Sequence, residues 1–235
     1  MGGGVRILIT GSEVGPHSAV LPLNASFRPD VPLLKLQVDI DWSPRDPVEA
    51  LTVLEERLVE LCPGLRQHQC RGHVRYRILR AHEAGEVAQE PIEASLALAH
   101  LLEHVLIDSM AFIVSAPLLS GITGALEDSE QRFDIFVECP DPSIAPVTVR
   151  LAVSWVSALL EGTSLDGRGR QALELVHLLY ERRSEGLPVE EIVQNLGRAP
   201  EEVNRTLLWL EQNGFARKQP SAKKSGKGAY YKLLH

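Results

Sequence analysis

Cysteine is scarce in this chain. There are three in 235 residues, at 62, 70 and 139, an odd and widely spread set that excludes a disulfide scaffold. Long apolar runs are also lacking. None reaches the roughly 18 residues that cross a bilayer, so no membrane association is expected. The opening MGGGVRILIT has no apolar core with a cleavage site, which argues against a secretory signal. Gly2 follows Met1, but Arg6 stands where a myristoylation signal needs Ser or Thr. A reducing, cytoplasmic location is the expectation. No Gly-Lys-Ser/Thr follows TGSEVG, so there is no P-loop, and no G-x-S-x-G elbow for a serine hydrolase occurs. Internal repeats are absent.

What is present suits a folded protein. Hydrophobic residues make up 44% and charged residues 23%, too much apolar matter for a disordered chain. At this length a core forms without help from disulfides or a structural metal. Charge is uneven. Residues 166–235 hold 12 Lys/Arg against 9 Asp/Glu, and residues 1–165 hold 12 against 22, which together give the net −7. The final stretch, Phe215 to His235, has six basic residues and no acid. An acidic body with a basic module suited to a polyanion follows from this.

The glycine-rich segment Gly162 to Arg170 marks a boundary, giving domains over 1–163 and 164–235. Before it, Val5–Thr10, Leu33–Ile40 and Arg132–Cys139 read as strands, with a shorter one at His73–Leu79. Asp46-Pro47 opens a helix whose stripe is Val48, Leu51, Leu54, Leu58 and Leu61. Pro91 to about Ile113 and Ala145–Leu160 are apolar helices. Mixed strands and helices of this kind predict an α+β, two-layer domain. After the boundary, helices are expected at Gly169–Arg183, Pro188–Leu196 and Pro200–Gln212. A hairpin of Phe215–Lys218 with Tyr230–Leu234 should follow. That order resembles a winged helix-turn-helix. Its third helix offers Asn204 and Arg205 to base edges. Arg217, Lys218, Lys223, Lys224 and Lys227 on the wing would meet phosphates. Glu201 and Glu202 oppose phosphates but suit the helix dipole.

The sharpest motif is His100-Leu101-Leu102-Glu103-His104. Histidines four apart lie on one helical face, where both can reach one cation. The pattern is H-x-x-E-H, in which two imidazoles hold zinc and the glutamate deprotonates a bound water. The rest of the helix is apolar, and burying four polar side chains there is costly unless they satisfy one another or a metal. A catalytic zinc needs a third protein ligand. Glu138, at the end of a strand, and Asp108, four residues after His104, are the candidates. Elsewhere, His68, Cys70 and His73 crowd one short stretch but fit no zinc-knuckle spacing, and read as a surface loop. Ser120 to Gly124 reads as a Gly-containing turn near the helix.

The segment from Val5 to Gly162 resembles the N-terminal domain of cyanophycin synthetases. The resemblance is carried by GPHSAVLPL, VLEERLVELCPGLRQHQC, LALAHLLEHVLID and FDIFVECPDPSIAPVTVRLAVSWVSALLEG. It places the family's H-x-x-E-H, the acid four residues on and the strand-end glutamate at His100, Glu103, His104, Asp108 and Glu138. It implies a zinc peptidase-like domain acting on a peptide or amide. The family's ATP-grasp and ligase modules are absent, His17 stands where its Asn follows Gly-Pro, and position 108 is Asp rather than Glu. Two functions are therefore expected. One is a zinc hydrolase with Glu103 as base. The other is a non-catalytic DNA-binding regulator whose N-terminal domain senses a ligand or mediates assembly, through homo-oligomers or a protein partner.

Overall fold

The computed structural model describes residues 5–42, 44–67, 94–126, 129–165, 168–219 and 230–234. They form an α+β structure. Strands β1 (Arg6–Gly15), β2 (Leu33–Asp41), β3 (Gly121–Leu126) and β4 (Ser129–Glu138) make an antiparallel sheet in the order β1-β2-β4-β3. Successive side chains along a strand point to opposite faces, and cross-strand partners share a face. The pairs Leu34–Val137, Leu36–Ile135 and Val38–Phe133 therefore form one apolar surface, and all six residues are fully buried. The other face is polar. Lys35 and Gln37 reach Asp134 at 3.3 and 3.0 Å, and Arg132 meets Asp39 at 3.1 Å.

Three helices make the second layer: α1 (Pro47–Leu61) packs against α2 (Ala94–Ile113) and α3 (Ala145–Leu160), and those two lie on the sheet. Asp46 caps α1 by accepting the Glu49 backbone N–H at 3.0 Å, as the Asp-Pro signal predicts. α2 is the central element, packed on β2, β3 and β4 below and on α1 and α3 beside it. A helix surrounded on most sides must be apolar on most sides, and 15 of its 20 residues are buried. α2 and the stretch Pro142–Leu160 are both long and apolar enough to cross a bilayer by length and composition, each with mean hydropathy 1.6. Burial accounts for that hydropathy most fully in α2, where 78% of the apolar window lies inside the protein.

The remaining elements are α4 (Arg168–Glu181), β5 (Leu187–Pro188), α5 (Val189–Leu196), α6 (Pro200–Gln212), β6 (Ala216–Gln219) and β7 (Tyr230–Leu233). Gly197 ends α5 in the left-handed region, at φ 60°, where a side chain would strain the turn. The three short strands pair as β5-β7-β6. The expected boundary falls between α3 and α4, yet the core runs across it without interruption. α4 lies against α2, and a Cβ on Gly169 would come within 2.6 Å of Leu61. Polar ties reinforce the seam. Arg170 donates to the Leu61 carbonyl at 3.3 Å, Tyr180 donates to Asp141 at 2.9 Å, and Arg150 donates to the Gly214 carbonyl at 2.9 Å.

Two sequence expectations change. β1 continues past Thr10 to Gly15, through an irregularity between Ile9 and Gly11 that restores its pairing with β2. The stretch at Ser120–Gly124 is not a turn: Gly121 opens an edge strand. Two glycines hide its strand character, and pairing with β4 supplies what local propensity does not. The strand expected at His73–Leu79 lies outside the described residues.

Candidate metal centre

His100, Glu103 and His104 sit on consecutive positions of one face of α2, turned toward β3. All three are buried, with 4%, 2% and 5% of their surfaces exposed. Each offers a donor atom, and those atoms lie within 4.8 Å of one another. The imidazole centroids are 4.3 Å apart with planes at 75°. His100 Nδ1 and Glu103 Oε2 are 3.1 Å apart, and Thr123 Oγ1 donates to the same oxygen at 2.5 Å. A proton on Nδ1 directed at a carboxylate leaves the ring's lone pair on Nε2, the usual arrangement for a histidine that ligates metal.

Glycine at 121 makes this contact possible. A Cβ there would stand 2.8 Å from Glu103 Oε1 and 3.0 Å from Ile107 Cδ1. The strand thus presses its backbone onto the helix, which brings Thr123 within reach of Glu103. Two imidazoles and a carboxylate, collected in a buried site, are a fitting donor set for zinc or a similar divalent ion. The cluster can hold a metal ion.

The proposed third ligands are not part of it. Glu138 follows Val137 on β4. Because Val137 faces α2, Glu138 faces the opposite side of the sheet, away from the imidazoles. There its carboxylate is fully engaged. Arg28 donates to it through its backbone N–H at 2.7 Å, Nε at 3.0 Å and Nη2 at 2.9 Å, and the Ser120 N–H donates at 3.0 Å. Hydrogen bonding to Glu138 holds the Arg28 guanidinium above its usual pKa, against a smaller opposing effect of burial. Glu138 is a clamp that fastens the loop before β2 to the start of β3.

Asp108 is also elsewhere, about 140° around the helix from Glu103. It packs on the Gly64 backbone, where an added Cβ would fall 1.7 Å from its Oδ1. It lines an open cleft of about 460 Å³ with Pro63, Phe112, Arg170 and His177. Burial, followed by the nearby Asp108 charge, pushes the Cys62 thiol up to about 12. Burial, then the charge of Asp141, does the same to Cys139. Both are neutral thiols at pH 7 and neither joins the cluster.

In the last third of the chain, Asn204 and Arg205 are exposed on α6, and Arg217 and Lys218 are exposed on β6. Glu201 and Glu202 are exposed in the first turn of α6. Lys223, Lys224 and Lys227 lie outside the described residues, as do His68, Cys70 and His73. Thr123, Asn24 and Arg28 are the residues that sequence reasoning did not single out. Thr123 is 20 positions from Glu103 and Arg28 is 110 from Glu138, so only the sheet brings them together. No family model and no curated protein matches the chain.

Proposed function

We propose that this protein is a zinc-dependent hydrolase of amide or peptide bonds, joined to a winged-helix module that binds DNA. One observation carries the first part: two imidazoles and a carboxylate converge on one buried turn of α2. His100 and His104 are the metal ligands, and Glu103 is the general base. Zinc, when bound, supplies a water of lowered pKa and polarises the carbonyl under attack. Glu103 would receive the proton of that water. Thr123 holds the carboxylate by a hydrogen bond to Oε2, and His100 keeps its ring oriented through Nδ1. Glu103 is the one carboxylate grouped with these imidazoles among the described residues, so the third protein ligand of a catalytic zinc does not come from Glu138 or Asp108. The resemblance of residues 5–162 to cyanophycin synthetase N-terminal domains supports the same reading, with the motif at the same place on a core helix.

The second part is favoured by the order of α4, β5, α5, α6 and the β6–β7 pair, and by the exposed polar face of α6 beside two exposed cations on β6. If catalysis is absent, this module makes the protein a DNA-binding regulator whose N-terminal half senses a ligand or mediates assembly.

Metal analysis of the purified full-length chain decides between these readings. About one zinc per chain, lost in His104→Ala, is expected. Glu103→Gln should keep the metal and lose amide cleavage. Zinc-free protein that binds DNA in a salt-sensitive way would overturn the hydrolase and leave the regulator.

A further inference from the structure

β3 is the outermost strand of the large sheet, and among the described residues no strand lies beyond it. Its alternation is fixed by its partner. The Glu138 N–H donates to the Ser120 carbonyl at 2.9 Å, and the pairs Gly121–Val137, Ile122–Phe136, Thr123–Ile135, Gly124–Asp134 and Ala125–Phe133 follow in register. In an antiparallel ladder every second residue turns its N–H and C=O toward the partner, and the residues between turn theirs outward. Gly121, Thr123 and Ala125 therefore direct their backbone groups to the free edge. The first of these carbonyls is already taken, since Asn24 Nδ2 donates to Gly121 O at 2.8 Å. Thr123 and Ala125 remain. The same Thr123 holds Glu103 through its side chain.

We propose that the edge of β3 at Thr123 and Ala125 binds an extended peptide by adding it to the sheet as a fifth strand. An extended chain offers N–H and C=O groups at the spacing this edge requires, and a compact small molecule does not. The position explains why the edge serves the cluster. Thr123 has its side chain on Glu103 and its backbone on the edge, so a peptide bonded there passes beside the imidazoles. Asn24 sets the limit of pairing at Gly121. The other outer strand, β1, is interrupted by its irregularity at Ile9–Gly11 and is separated from β3 and the cluster by β2 and β4. Natural sheets use such interruptions to discourage pairing. The edge beside the cluster has no irregularity between Gly121 and Ala125.

This assignment depends on the hydrolase reading only for the fate of the bound peptide, so the test separates the two. The probe is an acetylated and amidated eight-residue peptide of alternating Thr and Ala. A relative carries a backbone N-methyl group on every residue. Binding is followed by the backbone amide signals of full-length protein, both zinc-loaded and as His104→Ala. The Thr123 and Ala125 amides should shift on titration with the parent peptide. The N-methylated relative should lose about tenfold or more, because it has no N–H to offer the edge in any register. Ala125→Pro removes an outward donor without touching the ladder to β4, and should weaken the parent peptide several-fold. Unmoved amides at about 2 mM peptide overturn the proposal, because no useful affinity lies beyond that range. So does full affinity of the N-methylated relative, or full affinity in Ala125→Pro. If the amides respond as expected in a protein that never holds zinc, the edge site stands and the hydrolase falls. If zinc is held and lost with His104 but the amides stay still, the reverse is true.

Discussion

Helices α2 and α6 both carry polar side chains, and they treat them in opposite ways. α2 places His100, Glu103, His104 and Ser109 inside the protein among leucines. α6 turns Glu201, Glu202, Asn204 and Arg205 to solvent and keeps Val203, Thr206, Leu207 and Leu210 within. A polar group in water costs nothing to maintain, so its presence says little about use. A polar group in a core is expensive unless something satisfies it. α2 therefore reports on chemistry, and α6 reports chiefly on which of its faces is dry. Mutations that treat the two helices alike should give very unlike results.

The widest gap is expected in the cores they serve. Leu102→Ala or Leu106→Ala in α2 removes a fully buried side chain at the centre of the helical layer. Either should destabilise by about 2–5 kcal/mol, read from chemical denaturation. A loss under about 1 kcal/mol would mean that α2 is less central than its packing implies.

Glu138 sharpens the contrast next. Glu138→Ala strands the Arg28 guanidinium and the Ser120 N–H, and should cost about 1–3 kcal/mol. Glu138→Gln should leave zinc stoichiometry unchanged, since the carboxylate faces the other side of the sheet. Loss of zinc in that variant would return Glu138 to the ligand set.

This residue also shows where sequence reading fails. The motif on α2 is local, and its spacing alone places three donors on one face. The pairing of Asp46 with Pro47 and the stripe of α1 are local as well, and α1 begins and ends where they predict. Glu138 instead depends on strand parity. The end of a strand is readable, but which face its last residue takes is set by register with β2, and one position decides it. Asp108 fails for a related reason. Each four-residue step leaves a rotation of about 40°, so Asp108, two steps on from His100, has turned toward Gly64 and the α4 side. β3 was hidden because Gly121 and Gly124 have no strand preference of their own. Gly121 is there for the close approach to Glu103, a requirement visible only in three dimensions.

Acid should act at the seam between the regions. Burial raises the Asp141 pKa, but hydrogen bonds from Ser143, Arg183 and Tyr180 outweigh it and hold the carboxyl well below the usual range. A depressed folded pKa means that the stabilisation is fully present above the unfolded value of about 3.9 and is lost as pH falls from there toward the folded value. The Asp141→Asn variant should melt below wild type at pH 7, and the difference should shrink as pH drops under about 4. A constant difference down to acid unfolding would show that Asp141 acts by shape alone. Tyr180 lies on α4 and Arg183 just past its end, so the same change should loosen the protection of α4 amides before those of α2 in hydrogen exchange.

The smallest effect is expected on the outer face of α6, and it is the most informative about that helix. Leu208 is 51% exposed and Asn204 and Arg205 are exposed beside it. Replacing any of the three with Ala should change stability by no more than about 0.5 kcal/mol. If the exposed face exists to meet DNA, Arg205→Ala should also flatten the salt dependence of binding or relax sequence preference, while folding is untouched. A stability loss that grows with protein concentration would have a different cause. It would mean that the face is covered by another copy of the chain, and the apparent freedom of α6 would become a buried surface like that of α2.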